Sequence, residues 1–272
     1  MELETLCKKI EMPEEVTEKV IAAAENMDFS LLKKSVEKFR SRESRMDGVK
    51  ELRIKLGEDP LGFKMLACML TTAGFTYVKY KEKQIDEKIY FDTFACFSRF
   101  VKEHRVSYGC YGFDREWWTP RQVAMQLFRI GELEYEMAKK DRKNQISIHV
   151  PSDAKLTRES CRISLQNAIT FFQKFYLEYY NVNYICDSWL LSPNLKQVLD
   201  ENSNILKFQS AFQVTKFNPD DTEFMEWVFK DPAIPVEELP EETSLQRNLK
   251  AYLKNGGKIG CAYGILKDHA FE

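Results

Sequence analysis

The chain contains no GxGxxG or GxxxxGKS/T loop, no HExxH and no GxSxG. Dinucleotide, P-loop, zinc-protease and α/β-hydrolase chemistries therefore lack the residues that carry them. No CxxC pair occurs among the seven cysteines, and the closest two, Cys96 and Cys110, are fourteen positions apart. The three histidines, His104, His149 and His269, are scattered without ligand spacing, so no metal site is expected. No internal repeat or low-complexity tract interrupts the sequence. Its most apolar run, Met65 to Leu70, is far too short to span a bilayer, and no membrane association is expected.

A basic stripe is missing too. Net charge is -2, with both signs mixed along the whole length. The nearest cluster, Lys139 to Lys143, reads as the solvated tip of a hairpin, and no nucleic-acid partner is expected. An odd cysteine count and a charged N-terminus without an apolar signal core fit a reducing cytoplasm, where thiols behave as small buried hydrophobes.

What remains is a 272-residue chain with 44% hydrophobic residues and 19 Phe, 12 Tyr and 4 Trp, enough for two modest domains with well-packed interiors. The first half reads as helices. Pro13-Glu14-Glu15 starts one whose buried face is Val16, Val20, Ala23 and Met27. Ser30 is a candidate cap for a second, with Leu32, Val36 and Phe39 inward. Asp59-Pro60 opens a third that is apolar nearly all round from Leu61 to Leu70, hence central. Ile85 to His104 continues the pattern, and Trp117 to Pro120 starts one more helix after a Gly/Tyr-rich loop.

From Leu127 the period becomes two. Leu133, Tyr135 and Met137 alternate with Glu132, Glu134 and Glu136, which predicts a half-buried strand. Residues 139–145 read as a hairpin connection, with Ile146, Ile148 and Val150 inward on the next strand. Thr157 is a plausible N-cap for a long helix with Cys161, Leu165, Ala168, Phe172 and Tyr176 buried. Tyr184 to Leu191 reads as a central strand and Asn194 to Leu199 as a short helix. Leu206, Phe208, Phe212 and Val214 alternate as a further strand. Thr243 and Gln246 form a capping-box pair for a helix stopped at Asn255-Gly256-Gly257, and Ile259 to Leu266 is the last strand. The predicted class is α+β, with an all-helical domain over residues 1–124 and a mixed α/β domain over 125–272.

Several of these stretches, taken in order, resemble a known family: Phe128 to Gly131 followed by the Glu-rich strand, Ile148 to Pro151, Cys186 to Leu191, Ser203 to Ile205, and Leu239 to Gln246. Together they are similar to bacterial acyltransferase-domain proteins that join a helical N-terminal domain to a GNAT-like C-terminal domain. The resemblance covers most of the chain. It implies a mostly antiparallel central sheet and N-acyl transfer from acyl-CoA, as co-substrate, to a small-molecule amine acceptor. It further implies that acyl-CoA sits between two splayed strands, its pyrophosphate held at the N-terminus of the helix that follows the first of them. Residues 151–159 take that position; they hold no glycine where GNAT loops carry Arg/Gln-x-x-Gly-x-Gly/Ala, so charge would have to come from Lys155 or Arg158.

Candidate catalytic residues follow from the strands. His149 lies on the polar side of its strand and is a candidate general base, against the alternative of a structural loop contact. Asp187 and Ser188 are polar groups in an apolar strand and need partners or a polar crevice. Cys186 is a candidate nucleophile if it meets His149, although a cysteine in a central strand is ordinarily inert. Trp189 shares the side of Asp187 and reads as core or pocket wall. Among Glu132, Glu134 and Glu136 one could be a base raised by burial, the alternative being a solvated face. Tyr263 is a possible general acid or a packing residue. Three readings stand: an acyl-CoA-dependent N-acyltransferase, a non-catalytic small-molecule-binding protein with the same fold, and a thiol enzyme using Cys186.

Overall fold

A computed structural model describes residues 1–230 and 234–271. It divides into two compact units, residues 1–130 and 131–272.

The first unit contains α1 (Leu3–Lys9), α2 (Glu14–Glu25), α3 (Phe29–Phe39), α4 (Arg45–Leu56), α5 (Phe63–Glu82), α6 (Glu87–Tyr108), α7 (Pro120–Val123) and a short strand β1 (Leu127–Ile130). Its centre is α5, buried from Met65 through Leu70, as a helix without a polar stripe must be. Asp59 holds the start of α5 by accepting from the backbone N–H groups of Lys64 and Met65. The cap of α3 is Asp28, which accepts from Ser30 N–H, so Ser30 is the donor and not the expected cap. An aromatic chain fills the core: Tyr80 and Phe94 both pack on Tyr90, and Phe97 packs on Phe94 and Phe113. At Gly48 a β-carbon would lie 2.4 Å from the backbone nitrogen of Phe39, so α3 and α4 approach as closely as they do only because no side chain intervenes.

The second unit is a sheet with helices. Its elements are β2 (Leu133–Lys140), β3 (Lys143–His149), α8 (Arg158–Phe175), β4 (Asn183–Ser188), α9 (Asn204–Ser210), β5 (Phe212–Asn218), α10 (Glu223–Phe229), α11 (Ser244–Lys254) and β6 (Cys261–Leu266). The strand order is β2-β3-β4-β6-β5. Among the described strands of this unit β3 and β4 run parallel, whereas β2–β3, β4–β6 and β5–β6 are antiparallel, as the family resemblance implied.

The β2–β3 connection is tighter than expected. Both strands extend to a two-residue turn, Asp141-Arg142, with φ of 50° and 65°. Left-handed backbone at both positions matches the twist of a hairpin. The expected strand over 206–215 is instead α9 followed by β5: Ser203 caps the helix by accepting from Leu206 N–H, and a short apolar alternation does not distinguish the two states. The expected strand from Tyr184 to Leu191 ends at Ser188, whose hydroxyl accepts from Leu190 N–H and turns the chain into a 3-10 helix over Trp189–Leu191. Trp189 is therefore part of a buried cluster with Leu195, Phe224 and Leu249 and not a strand residue beside Asp187. Residues 193–197 are also 3-10, and the last strand begins at Cys261, two residues late.

Helix α8 packs on one sheet face. Ser164 Oγ lies 2.9 Å from Tyr135 Oη and accepts from Leu133 N–H at 3.3 Å, deep in the core. Thr157 caps α8 by accepting from Ser160 N–H, and α11 carries the full capping box of Thr243 and Gln246. Among the described residues, no helix is long and apolar enough to cross a membrane. Thr157→Ala should cost about 1 kcal/mol of stability; urea denaturation checks this, and an unchanged midpoint would show that the cap does not hold the start of α8.

Candidate functional site

Pairing register assigns every strand residue to a face. In β2 and β3, Glu134 lies opposite His149 and Glu136 opposite Ser147, so these four share one face while Tyr135, Ile146 and Ile148 share the other. Parallel pairing of Ser147 with Ile185 places Ile185, and two residues on Asp187, on the His149 face. On β6, Cys261 and Tyr263 extend that face, since Asp187 pairs with Tyr263.

The β3–β4 ladder has only three pairs, Gln145–Asn183, Ile146–Tyr184 and Ser147–Ile185. Both strands continue beyond it, β3 to His149 and β4 to Ser188, and each stays paired on its other side, with β2 and β6 respectively. Adjacent parallel strands that stop pairing while each remains anchored to its outer neighbour leave a break in the sheet. His149 and Asp187 stand on the same face at that break.

His149 is half-buried, and its Nε2 is 2.9 Å from Glu136 Oε2. Glu134 and Glu136 are only 2% and 9% exposed, so this row of carboxylates is not the solvated face that alternation alone suggested. Asp187 reaches solvent, and its Oδ1 lies 3.8 Å from the Cys261 thiol, which also donates to Glu223 Oε2 at 3.5 Å. Asp221, Glu223 and Cys261 bring three potential ligand atoms within 4.8 Å of one another, a grouping that histidine spacing could not reveal because none of the three is a histidine. Burial, and after it the charges of Asp221 and Asp187, holds the Glu223 carboxyl above its ordinary range against the lowering effect of its hydrogen bonds to Trp227 and Cys261.

The remaining candidates are spread differently. Cys186 is fully buried on the face away from His149, and burial, followed by the Asp187 and Glu223 charges, drives its thiol strongly upward. The two side chains that a thiol enzyme would need together point to opposite sides of the sheet. Ser188 spends its hydroxyl on Leu190 N–H. Lys155 and Arg158 sit exposed around the start of α8: Lys155 donates its backbone N–H to Glu132 at 2.8 Å, and Arg158 Nε donates to the Phe271 carbonyl at 3.3 Å. Ser160 Oγ donates to the Lys155 carbonyl, which ties the glycine-free loop to the first turn of the helix. Tyr263 Oη is 3.3 Å from Gln145, and Lys140 Nζ stands 3.8 Å from the centre of its ring.

Two family models match. The one for the N-acyltransferase N-terminal domain covers residues 1–125, and the one for the GNAT-like C-terminal domain covers residues 127–266. The chain belongs to this two-domain acyltransferase family. No match was found among curated proteins. Among solved structures, an acyltransferase in complex with decanoyl-CoA and teicoplanin aligns at 25% identity with a TM-score of 0.81, over 97% of this chain and 86% of that one. A complex of acyltransferase with CoA and 10C-teicoplanin aligns with the same identity, score and coverage. A third, with decanoyl-CoA alone, aligns at 23% identity and TM-score 0.79, over 96% of this chain and 86% of the other.

Two outcomes follow from the chemistry of these groups. Cys110 is exposed, whereas burial raises the thiols of Cys7, Cys68 and Cys161 to about 11, 12 and 11. Alkylation of the native protein followed by mass mapping should mark Cys110 first and leave the buried thiols, Cys186 included, until denaturant is added. Glu223 binds its proton more tightly in the folded chain than in the unfolded one, so it lowers stability once pH rises above its ordinary value and has no effect well below it. Glu223→Gln should thus raise the melting temperature at about pH 7 and leave it unchanged at about pH 3. The same melting temperature for wild type and variant at both pH values would show that Glu223 holds its proton no more tightly in the folded chain than in the unfolded one.

Proposed function

We propose that the chain transfers an acyl group from acyl-CoA to an amine. The observation that carries this reading is the break between β3 and β4, with His149 and Asp187 on one face beside it. Backbone groups of a strand end released from its neighbour can hold the extended arm of the thioester and steady the oxygen of its carbonyl. The acceptor nitrogen attacks that carbonyl, the C–N bond forms, the C–S bond breaks and CoA leaves as the thiolate. His149 receives the proton that the nitrogen must lose. Asp187, open to solvent beside the break, orients the incoming amine.

The N-terminal end of α8 takes the CoA phosphates, with Lys155 and Arg158 supplying charge where other loops of this kind use close backbone approach. The structural relatives bind decanoyl-CoA, which supports an acyl-CoA donor here, and their bound teicoplanin supports a small-molecule acceptor. The absence of glycine from residues 151–159 favours the second reading, a protein of the same fold that binds its ligand without turnover. Turnover decides between them.

Decanoyl-CoA at about 100-fold excess over its Kd should stabilise the fold by ~2.7 kcal/mol, visible as a thermal shift. Thiol release from decanoyl-CoA across a panel of primary amines that includes teicoplanin then reads the reaction. His149→Ala should lower kcat about 10²- to 10⁴-fold without changing the melting temperature. No thermal shift with any acyl-CoA would remove the donor, and a shift without release of thiol on any amine would leave the binding protein.

A further inference from the structure

The first unit holds a cleft of about 300 Å³ lined only by its own residues, between positions 53 and 116. The end of α4, the residues that lead into α5 and the loop after α6 enclose it. That loop is the Gly/Tyr-rich stretch, and its glycines place a histidine. Gly109, with φ of 73°, ends α6 and turns the chain, and the Cys110 carbonyl comes 2.8 Å from His104 Nδ1. At Gly112 a β-carbon would lie 2.6 Å from the His104 ring, so the imidazole rests directly on backbone. Phe113 N–H then donates to the Leu61 carbonyl at 2.8 Å and closes the loop onto the entry to α5.

Apart from Arg53, the polar side chains that line this cleft offer acceptors. A carbonyl can only accept, so Nδ1 carries the His104 hydrogen; in the neutral ring Nε2 keeps its lone pair, with no partner among the described residues. Asp114 meets Arg115 through Oδ1 at 3.1 Å, which leaves Oδ2. Asp59 accepts one backbone N–H on each oxygen and has further lone pairs. Arg53 itself pairs with Glu116. Leu56, Leu61, Met65 and Phe113 supply an apolar wall. A small molecule suited to such a surface brings hydrogen-bond donors, positive charge and a hydrocarbon body. We propose that the cleft binds a primary amine in its ammonium form, carried on a short apolar body, with Asp114 Oδ2 and His104 Nε2 accepting from the ammonium. This site is independent of acyl transfer, since none of its residues belongs to β3 or β4.

Phenethylamine is the probe, with phenethyl alcohol and hydrocinnamate as its neutral and anionic counterparts. The full chain, carrying nitrogen-15 histidine, is titrated at about pH 8, where imidazole is ordinarily neutral and a primary amine charged. The chain has three histidines, and His104→Phe, which keeps a ring on Gly112, assigns the signals. The amine should bind to saturation and shift Nε2 of a ring whose hydrogen is on Nδ1, the alcohol should bind more weakly, and the acid should not bind. Asp114→Asn and His104→Phe should each weaken calorimetric binding about tenfold, whereas Asp187→Asn in the second unit should leave it within about twofold. His104 signals unmoved by the amine overturn the proposal even if the variants fail to fold, and so does an Nε2–H pattern in the free protein. Binding lost in Asp187→Asn but kept in Asp114→Asn assigns the amine to the acyl-transfer site and overturns it too. Equal or tighter binding of hydrocinnamate does the same.

Discussion

The tight turn at Asp141 and Arg142 sets the place of the polar groups on β2 and β3. Two consecutive non-glycine residues with φ of 50° and 65° are held there by the ladder they close, and that ladder puts Lys140 opposite Lys143 and, at its far end, Glu134 opposite His149. A shift of β3 by one residue relative to β2 would carry His149 to the face where the Ser164 hydroxyl of α8 meets Tyr135, away from Glu134 and Glu136. The strain at the turn is thus tied to the register, and the register to the chemistry.

A second constraint acts from the opposite side. β4 is held by β6 through Ile185, Cys186, Asp187 and Ser188, whereas its pairing with β3 stops at Ile185. Small residues on β6 make that side close: a β-carbon on Gly264 would come within 2.8 Å of Leu191 Cδ1 and 3.0 Å of Phe212 Cβ. Ser188 then ends the strand by capping the 3-10 turn at Trp189, whose ring is anchored in the cluster with Leu195 and Phe224. β4 is fixed along its outer edge and at its end, while among the described residues no strand pairs with its inner edge over Cys186 to Ser188.

Electrostatics divides the same sheet face into two regions. Near β2 and β3 two buried glutamates flank a histidine, a setting suited to proton transfer. Near β6 a thiol lies between Asp187 and Glu223, with Asp221 close by, and burial, followed by the accumulated negative charge, raises both Glu223 and Cys261. A side chain that keeps its proton under such pressure donates hydrogen bonds; it does not act as a nucleophile.

The residues by themselves determined the helices, because caps and apolar periodicity are local. Thr157 before α8, the Thr243–Gln246 box before α11 and the apolar circumference of α5 are each legible within a few positions. The alternation of β2 was equally plain, and the similarity of several short runs to a two-domain acyltransferase family named the fold. Period two says that Glu134 and Glu136 face away from Tyr135; it does not say whether water or protein covers them. The short apolar alternation of 206–215 did not reveal α9, since the pattern spans two elements and four residues are too few to fix a period. The Glu136–His149 contact, the end of the β3–β4 ladder and the meeting of Asp187, Glu223 and Cys261 join residues 13 to 74 positions apart in the chain. Only the folded sheet decides such contacts, because they depend on how strands are ordered and in what register, and no local preference encodes either.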